Sequence, residues 1–287
     1  DISYFISALR TVYYQNTSDD PSTLTRTISF NVNDGTVNSN TISRNISIVA
    51  VNDAPVLANI ESASLLYTEN DAATNITSNL TLADPDNTDI QGATVQITSN
   101  YQNGQDVLSF INTGSITGSW NVATGTMTLS GTDTKANYLA ALKNVKYVNT
   151  SENPNISNRS VSFSATDGLL NSNTVSRTIQ INSINDAPTS ANNTVTTNED
   201  VDKIFSDTDF PYTDIEGDAL AKVMVTSLES AGSLYLDLNG NSVINAGEDI
   251  TLNQEILVTQ LSFLKFKPAA NANGTAYATF GFKVNDG

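Results

Sequence analysis

Oxygen-bearing residues recur at regular spacing in one short loop of this 287-residue chain. Six residues share the spacing, five through side chains and one through its backbone carbonyl: Asp237, Asn239, Asn241, Val243, Asn245 and Glu248. They stand at positions 1, 3, 5, 7, 9 and 12 of a twelve-residue loop, the positions from which a calcium loop takes its ligands. Because a tightly coiled loop turns alternate side chains inward, we predict a calcium site here.

This spacing is that of the EF-hand loop, with two departures. Position 6 is Ser242 where the EF-hand has glycine, and three of the side-chain ligands are neutral asparagines. The flanking segments 232–238 and 249–257 have the composition of strands, so we expect the loop at the tip of a hairpin. Since Asp237 and Glu248 are the only charged ligands, we expect weak binding, with a dissociation constant of roughly 10⁻⁴ to 10⁻³ M. The alternative is a solvated turn without a metal ion.

Two proline-containing joints carry a second acidic pattern. The first reads Val-Asn-Asp-Ala-Pro-Val at 51–56, and the second reads Ile-Asn-Asp-Ala-Pro-Thr at 184–189. Proline forces the residue before it toward extended geometry, and neither joint is rich in glycine or serine. We therefore expect stiff joints with the flanking domains end to end.

The joints belong to a long internal repeat. Residues 8–55 recur without a gap as residues 141–188, and about half of the paired positions are identical. The shift between the copies, 141 − 8 = 133 residues, is far longer than the period of about 20–50 residues in solenoid repeats. Each copy is therefore predicted to be a whole domain. A third copy is visible where FGFKVNDG, at 280–287, matches SFNVNDG, at 29–35. The predicted domains are the C-terminal half of a repeat, a complete repeat, and a repeat that lacks its last strand: 1–57, 58–188 and 189–287.

Short segments of alternating apolar and polar residues dominate the chain. Examples are TISFNV, ATVQITS, TMTLSG and SVSFSAT, which are rich in β-branched and aromatic residues and end at Asn, Asp, Gly or Ser. This pattern predicts an all-β fold of tandem antiparallel β-sandwich domains. The Asp-Gly pairs at Asp34, Asp167 and Asp286 are expected to form tight hairpin turns, with calcium binding by the aspartate as the alternative.

One segment of each repeat departs from the strand pattern. Between Asp133 and Lys146 the apolar residues have helical spacing, and Asp133 is a candidate N-cap. Residues 2–12 are the counterpart in the first copy. We predict a short helix that crosses between the two sheets of each sandwich.

Composition excludes several classes of chemistry. The chain has no cysteine and no histidine, which removes disulfides, the usual zinc sites and histidine-based acid/base catalysis. Its serines and threonines have no histidine to activate them, and the acidic pairs lie at joints and turns, so we do not expect an enzyme. With 30 acidic against 13 basic residues, the net charge of −17 argues against nucleic acid or anionic membranes as partners. No apolar run is long enough to span a bilayer.

The joints resemble the linkers of cadherins, in which a segment rich in Asp and Asn before Ala-Pro supplies calcium ligands between successive domains. Asp84-Pro-Asp86 resembles the cadherin Asp-x-Asp pair, and Asp214-Ile-Glu216-Gly-Asp218 is its counterpart in the third repeat. The resemblance implies ligands for the first joint at Asn52, Asp53, Asp84 and Asp86. For the second joint it implies Asn185, Asp186, Asp214, Glu216 and Asp218, with Glu69 and Asp167 from the preceding repeat.

The whole chain is similar to the cadherin-like repeats of giant bacterial surface proteins. The resemblance is carried by the VNDAPV joint, by GATVQIT and NGQDVLSF at 92–98 and 103–110, and by NGTAYATFGFKVNDG at 273–287. It implies export to the bacterial cell surface and a rigidity that depends on calcium. We therefore expect a spacer or stalk segment of an adhesin or filament. The expected partners are calcium ions and neighbouring repeats of the same chain. Further candidate partners are other copies in a filament, or a glycan or protein on a surface.

The rival function is recognition, in which these domains themselves bind a glycan or a protein. An exposed group of aromatic residues on one sheet face would favour it. Trp120 is the only tryptophan, and its alternatives are a core position or a sugar-stacking platform. Apart from the adjacent Tyr13 and Tyr14, the tyrosines are scattered singly along the chain, which favours the spacer.

Overall fold

The computed structural model describes residues 1–287 and consists mainly of β-strands. It divides into two compact units, Asp1–Asn182 and Ser183–Gly287. The prediction of an all-β chain built from several sheets with few helices is confirmed. The finer division at residues 57 and 188 stays a prediction. None of the helices has the length and apolar character needed to cross a membrane.

The first unit contains thirteen strands. They are β1 (Arg26–Phe30), β2 (Ile42–Ile46), β3 (Val56–Ala58), β4 (Leu65–Thr68), β5 (Thr74–Asn75), β6 (Thr81–Ala83), β7 (Asp89–Ser99), β8 (Asp106–Ser109), β9 (Thr117–Asn121), β10 (Thr126–Thr134), β11 (Lys146–Asn149), β12 (Arg159–Thr166) and β13 (Val175–Asn182). Six of them form one sheet in the order β4-β13-β12-β7-β10-β9, and a smaller sheet has the order β5-β11-β8. The pairs β1-β2 and β3-β6 are separate two-stranded sheets.

The sequence alternation places one face of each strand in a single core. In β12 every second residue is buried, including Val161 and Phe163, and β7 follows the same pattern over much of its length. Tyr147 from the smaller sheet and Tyr138 from a helix lie in this same core. Because the side-chain period of a strand is two, the alternating sequence leads directly to a sheet with one buried face.

A buried ionic network crosses the core of the first unit. Asp106 and Arg159 have no exposure, and the Arg159 Nε lies 3.0 Å from the Asp106 Oδ2. The Tyr147 hydroxyl and the Asn149 amide donate to the other oxygen of Asp106 at 2.6 and 2.7 Å. The network therefore supplies both a cation and neutral donors for a fully buried carboxylate, as such a group requires.

Two short helices occur where the sequence predicts them. They are α1 (Ile2–Arg10), which buries no residue, and α2 (Lys135–Lys143), which packs on the core. The predicted cap of α2 is wrong, because the N-cap is Thr134, whose side chain accepts from the Asn137 N–H. Asp133 is still part of β10, where it pairs with Ile90.

The second unit holds eight strands. They are β14 (Thr189–Ser190), β15 (Lys203–Ile204), β16 (Tyr212–Thr213), β17 (Lys222–Ser227), β18 (Ser233–Leu236), β19 (Glu255–Leu257), β20 (Leu264–Lys267) and β21 (Gly281–Asn285). The sheets are β15-β20-β18, β19-β17-β21 and β14-β16, around a separate core. Where an α-helix was expected, the chain forms a 3₁₀ helix at Val258–Phe263, and another 3₁₀ turn spans Asp207–Asp209.

Candidate metal centres

The first joint gathers oxygen-bearing residues because of how β3 and β6 pair. These strands are antiparallel with Val56 opposite Ala83, so the residues before β3 lie beside the residues after β6. Asn52 and Asp53 come from the first side, and the acidic Asp-Pro-Asp segment that starts at Asp84 comes from the second. The four residues predicted as ligands of this joint are therefore adjacent in the structure.

Hydrogen bonds tie the two sides of the first joint together. The Asp53 N–H donates to the Asp86 Oδ2 at 3.1 Å. The Asn52 side-chain oxygen accepts from the Asn87 amide at 2.7 Å. Asn87 was not predicted as part of the site, although it directly follows the Asp-Pro-Asp segment and its backbone N–H also donates to the Asp84 Oδ1 at 2.8 Å.

Asp84 is an almost fully buried carboxylate of the first joint and has an oxygen without a partner. The residue is 5% exposed, and its Oδ2 is buried with no hydrogen-bond donor, whereas its Oδ1 accepts from the N–H groups of Asp86 and Asn87. Burial raises the pKa of Asp84, and the neighbouring Asp86 adds to the rise. A buried carboxylate oxygen without a donor is costly unless a cation reaches it.

The structure corrects the placement of Asp167. The resemblance assigned this residue to the second joint, but its Oδ2 accepts from the Asn52 amide at 2.8 Å, at the first joint. Asp167 follows β12, and the next strand, β13, runs antiparallel to it and carries the chain away to Asn182 at the opposite end of the repeat. The turn itself forms as predicted, since Gly168 has a φ of +98° and the Asp167 Oδ1 accepts from the N–H groups of Leu169 and Leu170. Burial opposes ionisation of Asp167, but these bonds and the one from Asn52 hold its pKa below the usual value.

Glu69 lies at the end of the first unit where the chain leaves the repeat. It follows β4, which runs parallel to β13 with Thr68 opposite Asn182. Its N–H donates to the Asn182 carbonyl at 2.8 Å, and the residue is 2% exposed. Glu69 and Asp167 therefore stand at opposite ends of one repeat.

The second unit reproduces the contacts of the first joint with its own residues. The Asn185 amide donates to the Asp286 Oδ2 at 2.9 Å, as Asn52 does to Asp167, and the Asp186 N–H donates to the Glu216 Oε2 at 3.4 Å, as Asp53 does to Asp86. For Asp286 the sequence predicted a tight turn, with calcium binding as the alternative. The repeated Asp-Gly pair is the sequence signal that connects it to Asp167.

Buried oxygens without a partner recur in the second unit. One carboxylate oxygen of each of Asp186, Asp214 and Glu216 is buried with no hydrogen-bond donor. Burial raises the pKa of Glu216, and the charges of Asp186 and Asp214 raise it further. Asp218 is exposed, and its N–H donates to the Asp214 Oδ1 at 3.0 Å.

The loop from Asp237 to Glu248 closes a hairpin, as its flanks predict. Tyr235 pairs with Asp249, and the Leu236 N–H donates to the Glu248 carbonyl at 2.8 Å. Asp237 is fully buried, and its carboxylate accepts from the N–H groups of two loop residues and from the Lys265 ammonium at 2.6 Å. The contact with Lys265 holds the pKa of Asp237 below its usual value.

The remaining predicted ligands of this loop bond to one another. The Glu248 Oε1 accepts from the Asn239 amide at 2.8 Å, and its Oε2 accepts from the N–H and the amide of Asn245 at 2.8 and 3.0 Å. The Asn245 amide also donates to the Val243 carbonyl at 2.8 Å, and the Asn241 Oδ1 accepts from the Val243 N–H at 2.8 Å. The loop therefore brings its predicted ligands together, and the calcium site itself stays a prediction.

Comparison with known proteins returns distant structural likenesses. No protein-family model and no curated protein matches the sequence. The chain is similar to extracellular cadherin domains 1–5 of protocadherin gamma B2, with 14% identity and a TM-score of 0.35 over 86% of this chain and 39% of that one. It is also similar to domains EC21–23 of human CDH23, with 10% identity and a TM-score of 0.32 over 90% of this chain and 72% of that one. The chain spans about two fifths of the protocadherin structure. Similarity this low assigns no family.

Proposed function

We propose that this chain is a non-enzymatic, calcium-stabilised segment of a large extracellular protein, and that it serves as a spacer or stalk of a bacterial surface adhesin or filament. The observation that carries the proposal is the first joint. There, Asp84 is almost completely buried and keeps one oxygen without a donor, beside two further carboxylates. Calcium is the cation whose oxygen-only coordination fits such a set.

The residues of the first joint have the chemistry that a hard cation requires. Asp53, Asp84, Asp86 and Asp167 offer carboxylate oxygens, and Asn52 offers an amide oxygen. Calcium would neutralise carboxylates that otherwise repel one another across a few ångströms. A bound ion would also fix the chain on both sides of Pro55, which is buried, and so stiffen the joint.

The second unit supports the same assignment from independent residues. Asp186, Asp214 and Glu216 each keep a buried oxygen without a donor. The raised pKa of Glu216 has the same origin as that of Asp84, namely burial together with neighbouring negative charge. Two joints with matching hydrogen bonds and with buried carboxylate oxygens that lack a donor support a repeated metal site rather than a local irregularity.

The rival role as a recognition module receives less support. Trp120 is half-buried, packs against the core and meets Tyr101 edge-on with ring centroids 6.2 Å apart. It is therefore a core-side residue, which disfavours a role as a platform for stacking on a sugar. The resemblance of the joints to those of bacterial surface repeats supports export to the cell surface.

Calcium titration calorimetry on the full chain tests this proposal. We expect the wild-type chain to bind calcium, and the Asp84→Ala variant to lose binding at the first joint while it keeps binding in the second unit. Ser109→Ala, a substitution away from both joints, is the control and should bind as the wild type does. A wild-type chain that binds no calcium at millimolar concentration would refute the proposal.

A further inference from the structure

A lysine ammonium contacts the first residue of the predicted calcium loop. The Lys265 ammonium lies 2.6 Å from the Asp237 Oδ2 and 3.0 Å from the Ser242 Oγ. Both charged side chains are buried, with 10% of Lys265 and none of Asp237 exposed. The ammonium therefore touches the first ligand position of the predicted calcium loop, and does so inside the protein.

Strand register explains how Lys265 reaches the loop. Lys265 lies opposite Tyr235 in the antiparallel pair β18-β20, and Asp237 is two residues beyond Tyr235. Residues two apart on a strand share a face, so Asp237 is the diagonal neighbour of Lys265, within reach of a long side chain. The Asp237 N–H donates to the Phe263 carbonyl at 2.9 Å, which continues the pairing up to the loop.

We propose that the Lys265 ammonium takes the place of a metal ion in the loop Asp237–Glu248, so that this loop is closed without calcium. This inference replaces the expectation of a calcium ion at the loop and does not depend on calcium at the joints. It assigns Lys265 the role of a tethered cation.

The charge balance of the loop supports this assignment. Asp237 and Glu248 are the only two charged ligands of the motif, and Lys265 neutralises the first of them. One carboxylate and three neutral asparagines would remain for the ion, and calcium affinity falls as the number of charged ligands falls. An entering ion would also have to displace a buried ammonium, which has no second carboxylate within its contacts.

The joints show what the alternative looks like in this same chain. The Asp84 Oδ2 is buried and has no donor, and no lysine or arginine forms an ion pair with Asp84. In the loop, by contrast, both oxygens of Asp237 and both oxygens of Glu248 accept hydrogen bonds. We therefore expect the hairpin tip to keep its shape at calcium concentrations that are too low to fill the joints.

The test compares the wild-type chain with Lys265→Met and counts bound calcium ions by calorimetry. The proposal predicts that Lys265→Met binds one more ion per chain than the wild type, because the Asp237 carboxylate becomes available. Lys267→Met, on the same strand but with an exposed side chain, should bind the same number as the wild type. Adding Glu248→Gln to Lys265→Met should remove the extra ion, whereas Glu248→Gln alone should leave the wild-type number unchanged.

A measurement on the wild-type chain guards against misfolding of Lys265→Met. In a calcium titration followed by NMR, the amides of Asn241, Ser242 and Asn245 should keep their chemical shifts throughout. Loop amides that shift with saturation, or a wild-type chain that loses one calcium ion on Glu248→Gln, would overturn the proposal. A chain whose joints bind no calcium would refute the proposed function and leave this inference standing.

Discussion

The cores of the second and third repeats differ where their joints agree. In the second repeat, Asp106 of β8 lies opposite Asn149 of β11, the strand that contains Tyr147. Arg159 neutralises Asp106. In the third repeat, the corresponding pair β18-β20 brings Gly232 beside Phe266, so the acid is missing and the tyrosine has become phenylalanine. The ionic network of one core is thus an apolar contact in the other.

The joints, unlike the cores, keep matching residues and hydrogen bonds in both copies. Asn52, Asp53 and Asp167 of the first joint have the counterparts Asn185, Asp186 and Asp286, with matching hydrogen bonds. A core can exchange a buried ion pair for apolar packing at little cost, because both satisfy its groups. The acidic residues of the joints leave oxygens without partners in both copies, so packing does not explain them. This comparison supports the proposal that the joint residues serve a ligand rather than the fold.

The largest expected effect comes from breaking the buried network of the second repeat. Arg159→Met leaves Asp106 charged and buried, and we expect it to destabilise the first unit by about 3–5 kcal/mol. Denaturant unfolding followed by Trp120 fluorescence measures this, since the only tryptophan lies in that unit. The loss should be the same with calcium and with chelator. The double variant Asp106→Leu/Arg159→Met should recover part of the stability, and a double variant no better than Arg159→Met would contradict the ion-pair account.

A smaller effect is expected at the contact between Gly232 and Phe266 in the third repeat. Gly232 has a φ of +74°, and a Cβ there would lie 2.7 Å from the Phe266 ring and 2.7 Å from the Lys267 carbonyl oxygen. Gly232→Ala should therefore destabilise this part of the second unit by about 1–3 kcal/mol. Hydrogen exchange of β18 and β20 is the measurement.

A matched glycine separates the clash from the backbone strain. Gly240 has a φ of +71°, but a Cβ added there would have no atom within 4 Å, so Gly240→Ala carries the strain alone. We expect its effect on exchange to be clearly smaller than that of Gly232→Ala. Equal effects would mean that the clash with Phe266 and with the Lys267 carbonyl contributes nothing.

The smallest effect is a pH dependence of the first unit in chelator. Hydrogen bonds from Thr77 and Ser78 outweigh burial and lower the pKa of Glu61 from 4.5 to about 2, so its stabilisation is lost as pH falls from about 4.5 toward 2. The raised pKa of Asp84 acts in the other direction. The contribution of Asp84 to the stability of the first unit is fully present below pH 3.8 and is lost as pH rises through the pKa of Asp84 in the folded state. Trp120-detected stability should therefore reach its maximum in mild acid. Glu61→Gln should reduce the loss of stability on the acid side, where Asp167, whose pKa is also lowered, still contributes. An unchanged acid limb would contradict this interpretation.

Local patterns made much of the fold and of the joints predictable. The alternation of apolar and polar residues in the strands predicts which residues are buried, such as Val161 and Phe163. The Asn-Asp-Ala-Pro and Asp-Pro-Asp motifs of the joints are each contiguous in sequence, so they can be recognised without knowledge of the fold. The third repeat departs from the predicted α-helix because only six residues lie between Leu257 and Leu264, and Val and Thr at their start disfavour an α-helix.

Contacts between distant strands were harder to predict. The placement of Asp167 depends on the direction of β12 in the sheet, and the contact of Lys265 with Asp237 depends on the register of β18 and β20. Neither direction nor register is written in a local motif. Once Tyr235 is known to lie opposite Lys265, the register makes Asp237 and Lys265 diagonal neighbours.

We propose that calcium, and not packing, satisfies the carboxylates of the joint, and the Asp84→Asn variant is the sharpest test of this proposal. The amide keeps an oxygen for the N–H groups of Asp86 and Asn87 but removes the charge and the unpartnered oxygen. Thermal unfolding of the first unit should be followed through Trp120 in saturating calcium and in excess chelator. We predict that calcium stabilises the wild type by about 2.7 kcal/mol at one hundred times its dissociation constant. Asp84→Asn should be less stable than the wild type in calcium but more stable than the wild type in chelator. A wild type that unfolds identically in both solutions, with Asp84→Asn destabilised equally in each, would contradict the claim.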